Sequence, residues 1–309
     1  MSLKTSLEDQ GAAYRPIASA SEPRCLMGNR AACEFERLDA NIDRSGMVPD
    51  VWVKRCSRCG MGITEPPIAD VAFLYADRTS QDFQPNTRGL ARLIKRVAFR
   101  QQARHLLSQS EMRPRTVIDF ACGSGLFTSC LAASLPRDAR LIACDFHSEP
   151  PADLEGVEYR SLKAVEDLDE TADLVLAMHV LEHDDDPRKL LDRIVRLAKP
   201  GGKIVIEVPN IDCVWISVFG RWWDAWYLPY HRTHFSRRSL RALVESSTLK
   251  IVAETNVSVP TMGRSFANLV RRRNSLAFII LGAICHPLQW FLEWLTNRPV
   301  ALRVIALKL

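Results

Sequence analysis

The stretch that decides the fold is VIDFACGSGLFT, residues 117–128. A run of strand formers leads into the acid Asp119, Gly123 and Gly125 follow, and the chain from Leu126 onward reads as a helix. Strand, glycine turn and helix in that order offer backbone N–H groups and the positive end of a helix to a ligand. The glycines matter because a Cβ there would block close approach. A dinucleotide-binding turn would carry a third glycine where this chain has Thr128, and it has no use for an acid four residues before its first glycine. A carboxylate at Asp119 repels a pyrophosphate and suits a cationic amino group. The ligand expected here carries an ammonium and a ribose, and S-adenosylmethionine has both.

Outward from that stretch, strand and helix patterns alternate. TVIDF (116–120) is a strand, LFTSCLAASL (126–135) a helix closed by Pro136, RLIACDF (140–146) a strand and VEYRSL (157–162) a weaker one. ADLVLAMHV (172–180) is a buried strand, and Asp186 reads as the N-cap of a helix with Pro187 at its first position. PGG at 200–202 ends that helix and KIVIEVPN (203–210) is the next strand. Upstream, Gln84 to Leu107 has helical spacing, with Leu90, Leu93, Ile94 and Val97 on one face. Alternation with short links predicts an α/β fold, a mostly parallel sheet with helices on both faces.

Asp119-Phe120-Ala121-Cys122-Gly123-Ser124-Gly125 resembles the first motif of the class I S-adenosylmethionine-dependent methyltransferases, D-x-G-x-G-x-G in outline, with Ala121 at the first glycine. Asp145 ends the strand LIACD, 20 residues after Gly125, where the family's second motif places an acid. HVLEHDDDPRKLL and LAKPGGKIVIEVPN resemble the stretch after the fourth strand in the subgroup that includes the ubiquinone-biosynthesis O-methyltransferases. The resemblance covers roughly residues 50–250 and implies a Rossmann-like sheet of seven strands, the last being ALRVIALK near the C-terminus. It implies that Asp119, Ala121, Gly123 and Gly125 hold the cofactor and that Asp145, beside Phe146, accepts both ribose hydroxyls. Ser161 and Leu162 stand where the family often has an acid near the adenine, and His179 stands at the end of the fourth strand.

There are nine cysteines, an odd number, and the first sixteen residues lack the apolar core of a signal peptide. Both point to a reducing cytoplasm, where paired cysteines are more often metal ligands than disulfides. Cys56-Ser57-Arg58-Cys59-Gly60 has the knuckle spacing that lets two thiolates grip one zinc. Cys25 begins a second pair, but position 28 is Gly28. The segment resembles the zinc-binding piece that precedes some sugar and natural-product methyltransferases, keeping Cys56, Cys59, Gly60, Pro66, Pro67 and Tyr75. Two arrangements fit: a structural zinc on Cys25, Cys33, Cys56 and Cys59, or a decayed knuckle whose cysteines only pack. The expected organisation is a tail (1–22), a cysteine module (23–80) and a methyltransferase domain (84–309) with insertions at 211–235 and 260–297.

A hydroxyl acceptor needs help losing its proton, often from a histidine. The candidates are His183, after the fourth strand, and His231 and His234 in PYHRTHFSRRSL, which resembles the family's H-x-x-x-F-S segment. Trp222, Trp223, Trp226, Tyr227 and Tyr230 form either an acceptor wall or a packed lid. In RRRNSLAFIILGAICHPLQWFLEWL (271–295), His286, Pro287, Gln289 and Glu293 interrupt the apolar run. That run is too interrupted to span a bilayer. With Arg271 to Arg273 it reads as a helical hairpin lying on an anionic membrane, or as a segment buried in the core or in a dimer. A net charge of +5 without a basic run interleaved with aromatics disfavours nucleic acid. The function expected is O-methylation of a saccharide, a lipid-linked molecule or another small acceptor, in the cytoplasm or at the inner face of a membrane. The alternatives are a cofactor-binding protein without turnover and a nicotinamide oxidoreductase.

Overall fold

The computed structural model describes residues 25, 33–38, 48, 50–68, 74, 89–111, 113–154, 156–272 and 275–309, apart from the side chains at 90, 91 and 166. The expected tail, Tyr75, the helix start at 84–88 and Arg273 lie outside the described residues. Three short strands come first: β1 (Phe35–Leu38), β2 (Trp52–Cys56) and β3 (Gly62–Glu65). After helix α1 (Gly89–Ser110) follow β4 (Thr116–Phe120), α2 (Leu126–Ala132), β5 (Arg140–Asp145), β6 (Glu158–Ser161), β7 (Ala172–Met178), α3 (Pro187–Leu197) and β8 (Ala198–Pro209). Then come α4 (Ile216–Phe219), β9 (Thr233–His234), α5 (Arg237–Glu245), β10 (Leu249–Val257), α6 (Met262–Leu269), α7 (Leu276–Thr296) and β11 (Ala301–Lys308).

Seven strands form the main sheet in the order β10-β11-β8-β7-β4-β5-β6. The five strands β4 to β8 run parallel, and β11 is inserted antiparallel between β8 and β10. β4 and β7 are buried almost throughout, which explains their unbroken apolar character. Ile118, Ile142, Val175 and Ile206 pack on one face against Leu191 and Ile194 of α3 and Leu240 and Leu243 of α5. Val117, Leu174 and Leu176 pack on the other face against Ala103 and Leu106 of α1 and Leu131 of α2. All five parallel strands end at one edge, and the chemistry-bearing residues gather there.

β1, β2, β3 and β9 make a second, antiparallel sheet. β9 belongs to the 211–235 insertion, so the cysteine module and the methyltransferase domain share a sheet. Gly62 is paired to His234, and a Cβ at Gly62 would lie 2.7 Å from the Ile211 side chain and 3.0 Å from the His234 Cβ. Arg232, fully buried, fastens the junction. Its guanidinium donates to Asp185 (3.1 Å) and to the carbonyls of Thr64 (3.0 Å) and Pro66 (2.7 Å).

The C-terminal segment departs from the expected hairpin within 271–295. α7 is one continuous helix of 21 residues that runs through Pro287. Pro287 and Ala283, whose carbonyl loses its helical partner to the proline, both lie on the exposed side. The antiparallel partner of α7 is α6. Gly263 and Gly282 let the two backbones meet, and a Cβ on Gly263 would collide with the Phe278 carbonyl. By length and composition α7 could cross a membrane, and only 17% of its most apolar window is buried.

Candidate active site

The chain turns sharply out of β4. Ala121, Gly123 and Gly125 all have positive φ, at 62°, 58° and 75°. Gly125 begins α2. A Cβ built on Gly123 meets nothing within 4 Å, so the space beside it is open. Gly125 is different. Its Cβ would come within 2.8 Å of the Leu154 Cβ and 3.1 Å of the Leu154 backbone N. Packing of the 151–154 loop is thus a demand on Gly125 that the sequence reading did not include.

Two buried acids flank this turn. Asp119 accepts the Thr128 hydroxyl at 2.5 Å. Burial raises its pKa, the Thr128 hydrogen bond opposes this and the Asp145 charge adds to it, leaving it at about 6. Asp145 ends β5, and its carboxylate takes the N–H groups of Gly123 and Phe146, both at 2.7 Å. Its pKa is also raised, by burial, against the pull of those N–H bonds. Phe146 itself is 65% exposed. Ser161 caps the turn after β6, accepting from the Lys163 N–H at 3.4 Å, and the Leu162 side chain is buried in the core. Open space at Gly123 beside two buried acids, each with its pKa raised by burial, fits a ligand bearing an ammonium and ribose hydroxyls.

The second cluster lies after β7. His179, at φ 57°, follows the strand directly. Its Nδ1 is 3.2 Å from Glu182 Oε1 and its Nε2 3.1 Å from Glu207 Oε1. Burial works against a charge on His179, but the two carboxylates outweigh it and raise the pKa to about 10. Glu207, buried in β8, is also held by Arg303 of β11, whose Nε and Nη2 both donate to Oε2 at 2.8 and 2.6 Å. Arg303 Nη1 donates onward to Gln109 of α1 at 3.0 Å. Glu182 is 1% exposed, and its Oε2 has no hydrogen-bond partner among the described residues.

The three candidate histidines are not alike. His183 and His231 meet edge to face, 4.8 Å between ring centroids. His183 Nδ1 lies 3.1 Å from the Tyr230 carbonyl, and His231 Nδ1 lies 2.9 Å from the Ala225 carbonyl. A carbonyl accepts only from N–H, so each neutral ring carries its lone pair on Nε2. His231 Nε2 is 4.0 Å from Glu182 Oε1. Burial, followed by the neighbouring His183 and His234, holds the His231 pKa well below 6.5. His234 instead donates from Nε2 to the Thr64 hydroxyl (2.9 Å), which donates to the His231 carbonyl (2.6 Å). Burial and the Arg232 charge push its pKa down to about 3. His234 thus pins β9 to β3 and steadies His231. Trp223, Trp226 and Tyr230 are buried in an aromatic lid, and Tyr227 packs its ring 5.2 Å from His231.

Glu182, His183 and His231 place one ligand atom each within 4.8 Å of one another, a donor set that could take a divalent cation. Cys25, Cys33 and Cys56 do the same with their sulfurs. Cys25 Sγ lies 3.6 Å from Cys59 and 3.9 Å from Cys56. Those two separations bracket the roughly 3.8 Å edge of a tetrahedron with Zn–S bonds of about 2.3 Å, while the sulfurs that all lie within 4.8 Å of one another are those of Cys25, Cys33 and Cys56, without Cys59.

Sequence reasoning missed Glu207, Arg303, Thr64 and Arg232. A signal existed for the first two: each is a single charge inside an apolar run, IVIEV and ALRVIAL, of opposite sign, on neighbouring strands.

Glycine turn, paired acids and histidine cluster stand at the carboxyl edge of a seven-stranded sheet, and the chain belongs to the methyltransferase domain family, whose sequence model matches residues 87–254. The ubiquinone biosynthesis O-methyltransferase of Pseudomonas fluorescens (strain SBW25) is 31% identical over 107 residues, which are 31% of this chain and 45% of the relative. The enzyme of that name from Aeromonas salmonicida (strain A449) is 32% identical over 107 residues, 31% and 44% of the two chains. The chain thus spans less than half the length of these curated relatives. Among solved structures, the Burkholderia thailandensis 1,6-didemethyltoxoflavin-N1-methyltransferase is 18% identical with a TM-score of 0.48, covering 85% of this chain and 97% of the other. A SAM-dependent methyltransferase from Archaeoglobus fulgidus is 19% identical with a TM-score of 0.45, covering 77% and 100%.

Proposed function

We propose that this chain methylates a hydroxyl of a small, polyhydroxylated acceptor, a saccharide or a dihydroxyphenyl ring, free or lipid-linked. The observation that carries the reading is the pair of imidazoles whose Nδ1 atoms are tied to carbonyls, beside the buried Glu182. Two Nε2 lone pairs and a carboxylate are acceptors, and they match an acceptor molecule with neighbouring hydroxyl donors. Asp119, Asp145 and the 121–125 turn would hold S-adenosylmethionine, which when bound supplies an electrophilic methyl group on its sulfonium. His231 Nε2 takes the hydroxyl proton as general base. Its depressed pKa keeps that lone pair available at neutral pH. Glu182 stabilises the imidazolium that forms, and His183 holds a second hydroxyl. The rest of the rate comes from holding the nucleophile in line, a matter of proximity. A second reading rests on the same atoms: a divalent cation on Glu182, His183 and His231 would lower the hydroxyl pKa in place of the base. In the cysteine module, Cys25, Cys33, Cys56 and Cys59 hold a structural zinc with no open position.

The test is transfer of tritiated methyl from S-adenosylmethionine to polyhydroxylated small molecules, with the product mapped. Label on a hydroxyl oxygen that disappears in His231→Ala supports the reading. Label on nitrogen or carbon refutes it. Cofactor binding in a calorimeter without transfer would assign a binding protein, and binding of NAD in its place an oxidoreductase. Loss of transfer on dialysis against a chelator, restored by a divalent metal, would favour the cation over the base.

A further inference from the structure

α7 is inside out for a helix surrounded by water. Its polar side chains before the terminal Thr296 face the protein. Gln289 and Glu293 are 0% and 3% exposed. Gln289 donates to the Val259 carbonyl and to Glu293 (both 2.7 Å), and Trp215 Nε1 donates to Glu293 at 2.8 Å. His286 lies 3.4 Å from the Ser258 hydroxyl. The outward face is apolar: Ile284, Leu288, Trp290 and Trp294 are 71%, 57%, 55% and 64% exposed. A helix in a water-soluble protein turns its apolar stripe to the core and its polar stripe out. Polar side chains turned inward and apolar ones outward is the arrangement of a helix facing lipid.

Charge selects the kind of lipid. From Met262 to Leu292 the sequence holds four arginines, at 264, 271, 272 and 273, and no acid. Arg271 and Arg272 are exposed at the entrance to α7. Arg271 and Arg221 flank the ring of Trp222, at 5.7 and 5.6 Å, which extends the basic rim onto the lid. Arg264 is paired with Asp224 at 2.6 Å; anionic headgroups supply partner charge for Arg271 and Arg272. Orientation follows from packing. α7 is fastened to the body at Gly282, Gln289 and Glu293, along most of its length, so it cannot leave the protein to cross a bilayer. Tryptophans on an apolar face with arginines at its rim belong at the headgroup–acyl boundary.

We propose that α7 lies in the plane of an anionic bilayer surface, with Ile284, Leu288, Trp290 and Trp294 in the acyl boundary. The proposal uses no residue of the acceptor site and stands separately from the proposed chemistry. The experiment is co-sedimentation with phosphatidylcholine–phosphatidylglycerol vesicles at low salt. Wild-type protein should pellet, and the double variant Leu288→Glu/Trp294→Glu should remain in the supernatant with an unchanged thermal melt. Arg271→Gln with Arg272→Gln should weaken partitioning by about thirtyfold, and high salt should erase that difference. Wild-type protein left in the supernatant, or pelleting unaffected by the glutamates, overturns the proposal. Equal binding to pure phosphatidylcholine overturns the anionic assignment. A dimer in sedimentation velocity that Leu288→Glu/Trp294→Glu breaks, without vesicle binding, gives the face to a second copy and overturns the lipid reading. Methyl transfer to a water-soluble acceptor should stay at the wild-type level in the glutamate variant, which separates loss of the membrane contact from failure of the chemistry.

Discussion

Replacing Asp119 by asparagine should stabilise the empty protein while destroying its affinity for the cofactor. Asp119 is 3% exposed, and burial is the main reason its pKa rises from 3.8 to about 6. At 1.36 kcal/mol per unit, keeping it ionised inside the folded chain costs about 3 kcal/mol. An acid with a raised folded pKa binds its proton more tightly folded than unfolded. Stability from this residue therefore grows as pH falls through about 6 and stops growing below 3.8. Asparagine is neutral at every pH and still offers an oxygen to the Thr128 hydroxyl. With roughly 2.1 cal/mol/K of unfolding entropy per residue, 3 kcal/mol amounts to about 5 °C in a chain of this length. Scanning fluorimetry of the apo proteins should show Asp119→Asn melting about 5 °C higher near pH 7.5, with the gap about halved near pH 5 and closing near pH 4. Calorimetry should show S-adenosylmethionine binding weakened by at least about tenfold, because a charge-assisted bond to the ammonium is lost. A variant that melts lower than wild type at neutral pH, or by a pH-independent margin, would refute the argument that an ionised, desolvated carboxylate waits here for a cation.

Gly123→Ala should cost only the left-handed strain, about 1–2 kcal/mol, yet abolish cofactor binding; Gly125→Ala should lose both, since its Cβ strikes Leu154, and melting curves with titrations separate the two. His231→Gln should lower kcat by about 10²–10⁴ with cofactor affinity unchanged, and because burial keeps its pKa well below 6.5, wild-type kcat/KM should show no fall assignable to this residue on going from about pH 8 to pH 6.5. Glu207→Gln, which leaves the buried Arg303 guanidinium without its counter-charge, should cost about 3–5 kcal/mol in urea unfolding, and the double variant Glu207→Leu/Arg303→Met should recover most of it. Elemental analysis should find about one zinc per chain, lost in Cys25→Ser together with several degrees of melting temperature; a metal-free wild type would leave the cysteines as packing groups.

What could be read in advance was what is local. The 117–128 turn, Asp145 and the capped start of α3 are written in consecutive residues, so spacing alone locates them. β10 was not foreseen: it is an edge strand whose side chains alternate between partial burial and exposure, so its apolar signal is diluted. The histidine segment was legible as a cluster, but the roles of its members were not. Thr64, which separates His234 from His231 in role, comes from a strand 170 residues upstream of His234. Glu207 and Arg303 pair across 96 residues. No periodicity carries such pairings, because the first is fixed only once β3 meets β9 and the second only once β11 enters the main sheet. The packing demand on Gly125 was not legible because the partner of its missing Cβ, Leu154, lies on a loop whose path the sequence leaves open. α7 was misjudged because His286, Pro287, Gln289 and Glu293 in an apolar run were counted as interruptions, whereas His286, Gln289 and Glu293 are the side that faces the protein and Pro287 is accommodated on the exposed side.

The junction of β3 with β9 has a consequence for how such a protein could change over time. In the proposed function, the donor side of the site is built by β4 and β5 and the turn between strand and helix. The acceptor side hangs from the cysteine module, the Thr64 hydroxyl and the buried Arg232. Few side chains belong to both. Exchange of the module and its paired loop between relatives could then redirect which molecule receives the methyl group, while the machinery that carries the donor is inherited intact.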